Sequence, residues 1–151
     1  MYWRKIAFAA VVFLFARMNK IIVIANADEE RVVRLAEPLK DQPLRAGDSL
    51  LFRKRVYDAT GEHRVGSLAV RCTFLKVTPT VVHTLAICDG IYTLRNGTIT
   101  VAVRLKVTHS LVTTFAVTGG TGAYDGASGT GTTTGRSSTG NTSDVVIHLV
   151  S

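Results

Sequence analysis

Residues 66–107, GSLAVRCTFLKVTPTVVHTLAICDGIYTLRNGTITVAVRLKV, limit the possible folds more than any other stretch of the chain. Asn96-Gly97 is the strongest short hairpin signal a sequence offers, because a type I′ turn needs positive φ at both central residues. With those two residues as the loop, Leu94 is expected to face Ile99, Tyr92 to face Val101, Gly90 to face Val103 and Cys88 to face Leu105. These are mostly apolar cross-strand pairs on one side of a sheet, and Thr98, Thr100, Arg104 and Lys106 fall on the other. Upstream, a turn around Thr78-Pro79-Thr80 sets Phe74 against Ala86, Cys72 against Cys88 and Leu68 against Tyr92 on the apolar face, with Arg71 against Asp89 on the polar face. Two turns placed separately agree on which side is the inside, and a one-residue slip in either would destroy that agreement.

Taken in order, the rest of the chain repeats this character. Val32, Val33 and Leu35 ahead of Pro38 predict a first strand, and 49–58 (SLLFRKRVYD) a second with Leu51 or Phe52 and Val56 buried. Strands follow at 64–77, 81–95, 98–107, 111–118 and 144–150, separated by turn residues such as Ala59-Thr60-Gly61-Glu62 and Thr108-His109-Ser110. Short strands about ten residues apart, with no helix pattern after the N-terminus, predict an all-β barrel or sandwich. A consistent apolar face without a second, oppositely phased set of strands favours closure: an eight-stranded antiparallel barrel with an apolar interior.

At 151 residues the chain has the length of one domain, and 46% apolar residues exclude disorder. The formal charge of +7 would invite nucleic acid, but Arg4, Lys5, Arg17 and Lys20 lie in an N-terminal segment without acids. Beyond residue 27, 14 of the 18 basic residues face 11 acidic ones, and the cluster Arg53-Lys54-Arg55 reads as a solvated face, so no nucleic-acid partner is expected. The N-terminus has the parts of an export signal: Arg4 and Lys5, an apolar core over 6–16, and Ala25-Asn26-Ala27 as small residues before Asp28. Arg17 and Lys20 interrupt that pattern. Residues 1–27 are therefore a signal peptide, a retained anchor or apolar lid helix, or the product of an upstream start with Met18 as the true first residue, and 28–151 the barrel domain. A genuine signal would make the protein exported or envelope-associated, and otherwise it is cytoplasmic. Membrane association through residues 1–27 and homo-oligomerisation stay open. So does the state of Cys72 and Cys88, either a cross-strand disulfide or two small buried thiols.

The segment 117–122 (VTGGTG) looks like a dinucleotide loop. Gly120, Gly122 and Gly126 are spaced GxGxxxG, however, and no helix follows to meet a pyrophosphate, so the glycines are better explained by a sharp turn of the backbone. His63, His83, His109 and His148 are scattered without the paired spacing of a zinc site. No metal and no cofactor are expected. Asn96-Gly97-Thr98 and Asn141-Thr142-Ser143 are sequons, the first better explained as a turn, and 136–143 reads as a mobile loop that can serve as a lid.

The segments GDSLLFRKRVYD, HRVGSLAVRCTF, CDGIYTLRNGTITV and FAVTGGTGAYDGASG, in that order, resemble the allene oxide cyclase and dirigent-like barrel family, particularly its exported bacterial members. The resemblance runs over roughly 47–131 and returns at the last strand, and the fourth segment is its most specific part. It implies an eight-stranded antiparallel barrel with an apolar cavity. Members of the family cyclise an epoxide fatty acid or steer the radical coupling of phenols, and related bacterial barrels close polyketide rings, including by [4+2] cyclisation. Cys72 matches a cysteine in the cavity of the plant cyclases. Their first strand carries a glutamate and an asparagine thought to work on substrate, where this chain reads VVRLAE with Arg34 at the glutamate's place, and an asparagine of their second strand corresponds to Lys54.

The function expected is a cyclase- or isomerase-type barrel acting on a lipophilic, polyketide- or fatty-acid-like substrate by confinement in the cavity. The alternative is a non-catalytic exported dirigent-like barrel that binds a lipophile or packs shut. The expected lining is Leu68, Val70, Cys72, Phe74, Ala86, Cys88, Tyr92, Leu94, Ile99, Val101, Val103 and Leu105. Tyr92 can donate a hydrogen bond to a carbonyl and Cys72 can touch substrate, the two candidates for catalysis; core packing is the plainer account of both. Gly90 leaves room in the cavity.

Overall fold

The computed structural model of the chain describes residues 20–34, 37–38, 42–136 and 142–150. Among these, nine strands form: β1 (Lys20–Arg34), β2 (Glu37–Pro38), β3 (Ser49–Tyr57), β4 (Arg64–Lys76), β5 (Leu85–Leu94), β6 (Gly97–Lys106), β7 (Val112–Gly120), β8 (Ser128–Gly135) and β9 (Thr142–Val150). The order is β1-β3-β4-β5-β6-β7-β8-β9, every pair is antiparallel, and β9 pairs back onto β1. The fold is a closed eight-stranded antiparallel barrel, with β2 a two-residue strand beside the end of β1. Closure removes the free edges that an open sheet would expose.

The β4–β5 register is the one expected from sequence: Leu68 faces Tyr92, Arg71 faces Asp89, Cys72 faces Cys88 and Phe74 faces Ala86. Cys72 and Cys88 are joined by a disulfide with Cα atoms 4.0 Å apart, the close approach of a non-hydrogen-bonded antiparallel pair. Along β5, Ala86, Cys88, Gly90 and Tyr92 are buried while Ile87, Asp89, Ile91 and Thr93 are exposed, the two-residue period of a barrel wall.

The β5–β6 register differs from the expected one by two residues. Leu94 pairs with Gly97, Tyr92 with Ile99, Gly90 with Val101 and Cys88 with Val103, so the loop residues are Arg95 and Asn96. Gly97 serves a different need. A side chain there would run into the Thr121 carbonyl, because residues 121–123 lie across the hairpin. They are tied down by hydrogen bonds from the Thr121 N–H to the Thr98 carbonyl (2.9 Å) and from the Ala123 N–H to the Asn96 carbonyl (2.8 Å). A shift of two keeps every side chain on its face, so the inside was assigned correctly although the partners were not. The glycine-rich segment after β7 is therefore a 3-10 turn, Gly122–Tyr124, docked on a hairpin.

Three further boundaries differ from the sequence reading. β5 begins at Leu85, not at residue 81, because 77–84 form a loop in which Val81 (φ 65°) and His83 (φ 72°) are left-handed. That loop is held by the Thr78 hydroxyl donating to the Val82 carbonyl (2.6 Å) and by fully buried Thr84. β8, SGTGTTTG, carries no apolar residue and has no strand signature, yet it is required: a Cβ at Gly131 would run into the Phe115 ring, so this strand contributes space. β1 begins at Lys20, and Val23, Ile24 and Ala25 are buried, so residues 20–27, expected to precede the barrel, lie in its first strand. The residues ahead of 20, where the apolar signal core falls, lie outside the described residues. Among the described residues no helix is long and apolar enough to cross a membrane.

The β1–β9 pairing uses Lys20 to Asn26 alone. A chain beginning at residue 28 loses that ladder together with the burial of Val23 and Ile24, roughly 1.5–3 kcal/mol each. Against a total stability of about 5–15 kcal/mol, such a chain is expected to lose cooperative thermal unfolding, whereas one beginning at residue 20 keeps it. Replacing both Cys72 and Cys88 by Ala is expected to lower stability in urea unfolding by about 2–3 kcal/mol, the effect of opening a loop of this length.

Candidate functional site

Between its strands the barrel holds a pocket of about 230 Å³ that is partly open to solvent. Eight of the residues expected to line it do so: Leu68, Val70, Cys72, Cys88, Tyr92, Val101, Val103 and Leu105. Phe74 and Ala86 pack instead against the disulfide at the end where β4 leaves the barrel, and Leu94 and Ile99 belong to the closed core at the opposite end. Gly90 lines the cavity between Val70 and Val101, whose methyl groups crowd the position a Cβ would take. As one half of a disulfide, Cys72 offers no thiol, and only its sulfur contributes to the wall.

The remaining wall comes from Asp89 on β5 and from strands whose register sequence left open: Ala25 on β1, Leu50, Phe52 and Lys54 on β3, Thr113 and Phe115 on β7, Thr133 on β8 and Val145 on β9. Lys54 corrects the reading of Arg53-Lys54-Arg55 as one solvated cluster. Arg53 and Arg55 are exposed, whereas Lys54 alternates with Phe52 and Val56 and turns inward with them. Its ammonium lies 5.7 Å from the centre of the Phe52 ring and donates to the Ser143 hydroxyl at 3.4 Å. The signal for it was present in the two-residue period of SLLFRKRVY.

Tyr92 stands at the junction of cavity and core. Its side chain is 3% exposed, and its ring stacks on Phe115 with centroids 6.4 Å apart. Burial pushes the phenol well above its ordinary range, so it stays a neutral O–H donor at any physiological pH. Among the described residues no hydrogen-bond partner reaches that hydroxyl. An unsatisfied buried hydroxyl costs about 1–3 kcal/mol, and such a group is explained by a ligand or water more readily than by packing.

The other titratable groups are dispersed. His63 bonds Asp58 at 3.0 Å on the exposed turn after β3, where the Thr60 hydroxyl and then His63 hold Asp58 at a pKa of about 2. His83 and His109 lie in loops and His148 on the outer face of β9, all exposed. Among the described residues no group of three or more His, Cys, Asp or Glu is placed to hold a metal ion. Arg136 and Asp144 form a two-pronged ion pair (2.9 and 3.2 Å) at the base of the loop read as a lid, of which 137–141 lie outside the described residues. A second depression, of about 490 Å³, lies on the outer face of β3–β5 between Leu51, Arg53, Arg71 and Ile91 and is open to solvent.

Compared with solved structures, the chain has the fold of the dirigent- and cyclase-type barrels. It is similar to pyocyanin demethylase (24% identity over 87% of this chain and 99% of that one, TM-score 0.68). It is also similar to a pterocarpan synthase dirigent protein (15%, 86% and 85%, TM-score 0.65) and to a Diels-Alderase from Streptomyces koyangensis (16%, 95% and 79%, TM-score 0.63). At these identities the likeness concerns the fold. Sequence comparison finds something different, which the sequence reading did not anticipate: the pattern of the proteasomal ATPase OB C-terminal domain matches residues 11–64. The proteasome-associated ATPase of Thermobifida fusca (strain YX) is 67% identical over 37 residues, 24% of this chain and 6% of that one. That of Kribbella flavida is 53% identical over 60 residues, 38% and 10%. The chain thus spans a tenth or less of the curated relatives it matches, and the matched part holds β1 to β3.

Replacing Tyr92 by Phe keeps the ring on Phe115 and removes only the unpartnered hydroxyl. The ligand-free protein is expected to be as stable as the parent, or about 1 kcal/mol more stable, in urea unfolding; a loss above about 1 kcal/mol would mean that the hydroxyl has a structural partner.

Proposed function

We propose that the barrel binds a lipophilic small molecule in its cavity and acts on it as a cyclase- or isomerase-type catalyst. The observation that carries this reading is Tyr92: a neutral O–H donor, buried and without a partner among the described residues, on the wall of an apolar cavity. Substrates of polyketide or fatty-acid type suit such a site, because a polyene or an α,β-unsaturated carbonyl offers an apolar body and one acceptor oxygen. Support at the level of fold comes from the Diels-Alderases among the similar structures, an argument by analogy.

The mechanism that this chain's residues allow is confinement with one polarising hydrogen bond. A flexible chain held in a folded, near-attack conformation loses its conformational entropy on binding, before the barrier is crossed. A hydrogen bond from Tyr92 to a carbonyl conjugated with the reacting double bond draws electron density from it, and does so more strongly in a low dielectric. A concerted [4+2] closure makes two carbon–carbon σ bonds from π bonds with no proton to add or remove, so no acid–base pair is required. The relation to allene oxide cyclase belongs to this proposal, as one of the chemistries that such a pocket can host.

The likeness to the ATPases adds no nucleotide chemistry, since residues 11–64 contain no GxxxxGK[ST] phosphate loop. A second reading, a barrel that binds nothing, is favoured by the size of the cavity, about 230 Å³, below the roughly 300–1,000 Å³ of drug-sized ligand pockets. Native mass spectrometry of the full chain against a mixed library of polyketides and fatty acids separates the two. A retained lipophile, lost when Val103→Phe fills the cavity and bound about tenfold more weakly by Tyr92→Phe, is the expected result. A protein that retains nothing would leave a barrel that works from its outer surface.

A further inference from the structure

The two rims of the barrel differ in kind. The rim that carries the loops after β4 and β6 is continuous: the Gly47 N–H donates to the Phe74 carbonyl (2.8 Å), the His83 N–H to the Val107 carbonyl (2.8 Å) and the Gly135 N–H to the Leu111 carbonyl (2.9 Å). On it stand Leu75, Val81, Leu111 and Val112, each 43% to 51% exposed. Arg45, Lys76 and Lys106 stand exposed among them. Among the described residues of this rim the carboxylates are Asp48, which is buried, and Asp144, which is paired with Arg136. At the opposite rim Lys20, Arg64 and Arg95 are balanced by Asp58, Glu62 and Asp125.

Val81 adds a separate observation. A β-branched residue with positive φ is strained, and at Val81 (φ 65°) the strained backbone leaves an apolar side chain half in water. The loop is fixed in that shape by the Val81 N–H donating to the Thr78 carbonyl (3.0 Å) and the Thr84 N–H to the Val81 carbonyl (2.9 Å). The folded chain gains little from holding Val81 there, whereas an apolar layer that covered it would gain its burial. We infer that this rim docks on an anionic lipid bilayer, with Leu75 and Val81 at the acyl boundary and Arg45, Lys76 and Lys106 at the headgroup phosphates. A second copy suits the rim poorly, since a two-fold pairing would set its unbalanced cations against themselves. A bilayer asks for no matched relief, only for apolar side chains among cations. The pocket lies toward the same rim: Leu50, Leu105 and Thr113 of its wall each stand next to the last residue of their strand here, while Val56, Ile99 and Ile147 fill the other end. The docking rests on the rim alone and stands whether or not the pocket takes a lipophile.

Co-sedimentation of the full chain with vesicles of phosphatidylglycerol and phosphatidylcholine in equal parts, and with vesicles of phosphatidylcholine alone, tests the inference. The parent is expected to bind the mixed vesicles about tenfold or more tightly than the neutral ones, a preference that falls at high salt. Lys76→Gln combined with Lys106→Gln is expected to remove most of that preference. Val81→Asn places a residue that tolerates positive φ at the strained position. It is expected to unfold at the parent's temperature or higher and yet to bind the mixed vesicles about tenfold more weakly. Leu75→Gln is expected to weaken binding in the same direction. Ile91→Gln, at an exposed apolar residue on the barrel wall away from the rim, is expected to bind as the parent does. A parent that binds neither kind of vesicle overturns the inference. So does binding that survives unchanged in Val81→Asn and in the double lysine variant, the result expected if residues 1–27 alone attach the chain. A loss in Ile91→Gln as large as that in Val81→Asn also overturns it, since it would place the contact on the wall.

Discussion

Closure of the sheet by the β1–β9 ladder is the constraint on which the rest depends. Until Ile21 reaches Ile147 and Val23 reaches Val145, the chain is an open eight-strand meander with a row of unpaired backbone groups along each edge. Once the ladder forms, every strand of the barrel has two partners, and inside and outside are defined for every residue. Closure also sets what the interior requires. Eight strands leave a lumen that side chains can just fill, so the balance between a packed core and an open cavity is decided by a few positions. Val56, Ile99 and Ile147 fill one end, and the disulfide, with Phe74 and Ala86, occupies the other. The cavity is what remains between them.

What could be read from the sequence follows from this. A strand that gives the core large side chains shows itself by alternation, so β4, β5 and β6 were legible, as was the face holding Tyr92, Cys72 and Val103. A strand that gives the core room does not. β8 faces the interior with Gly131 where Phe115 needs space and with Thr133 where the wall turns polar, and composition alone makes such a stretch look like a loop. The same applies to Gly97. Its glycine reads as one half of a hairpin turn, but it is required by a segment more than twenty residues later that passes over it. Local rules identify that a glycine is needed and not which neighbour needs it. Lys54 was misread for a related reason: three consecutive cations suggest a solvated surface, while the period of the strand turns the middle one inward.

Residues 11–64 carry two likenesses at once, to the OB region of proteasomal ATPases in sequence and, with the rest of the chain, to dirigent- and cyclase-type barrels in fold. The two are physically compatible. An OB domain is itself a small, partly open β-barrel, and any barrel asks the same of two adjacent antiparallel strands: apolar residues at every second position on one face and polar ones on the other. β1 and β3 pair along Ile24 to Val33, with a register shift between Ala27 and Glu29. A strand pair of this kind specifies a wall and leaves the number of strands in the barrel to its neighbours, which here are β4 through β9. Sequence identity confined to such a pair therefore says little about chemistry, because the residues that distinguish this cavity are mostly supplied from beyond residue 64.

Those residues are few, and they differ in kind. Tyr92 is a neutral donor whose environment keeps it protonated, so it can polarise an acceptor without becoming a base. Lys54 is a charge on β3, two strands across the wall from Tyr92, and it donates to the Ser143 hydroxyl. In water neither would discriminate strongly between ligands, since solvent would compete for both. Within an apolar lumen each polar contact is made against a low dielectric, and a ligand that lacks the matching group leaves a buried polar atom unsatisfied. On the proposed reading, the barrel walls that make an unpartnered hydroxyl costly are also what would let Tyr92 select a ligand with a matching acceptor, so packing and binding place opposite demands on it.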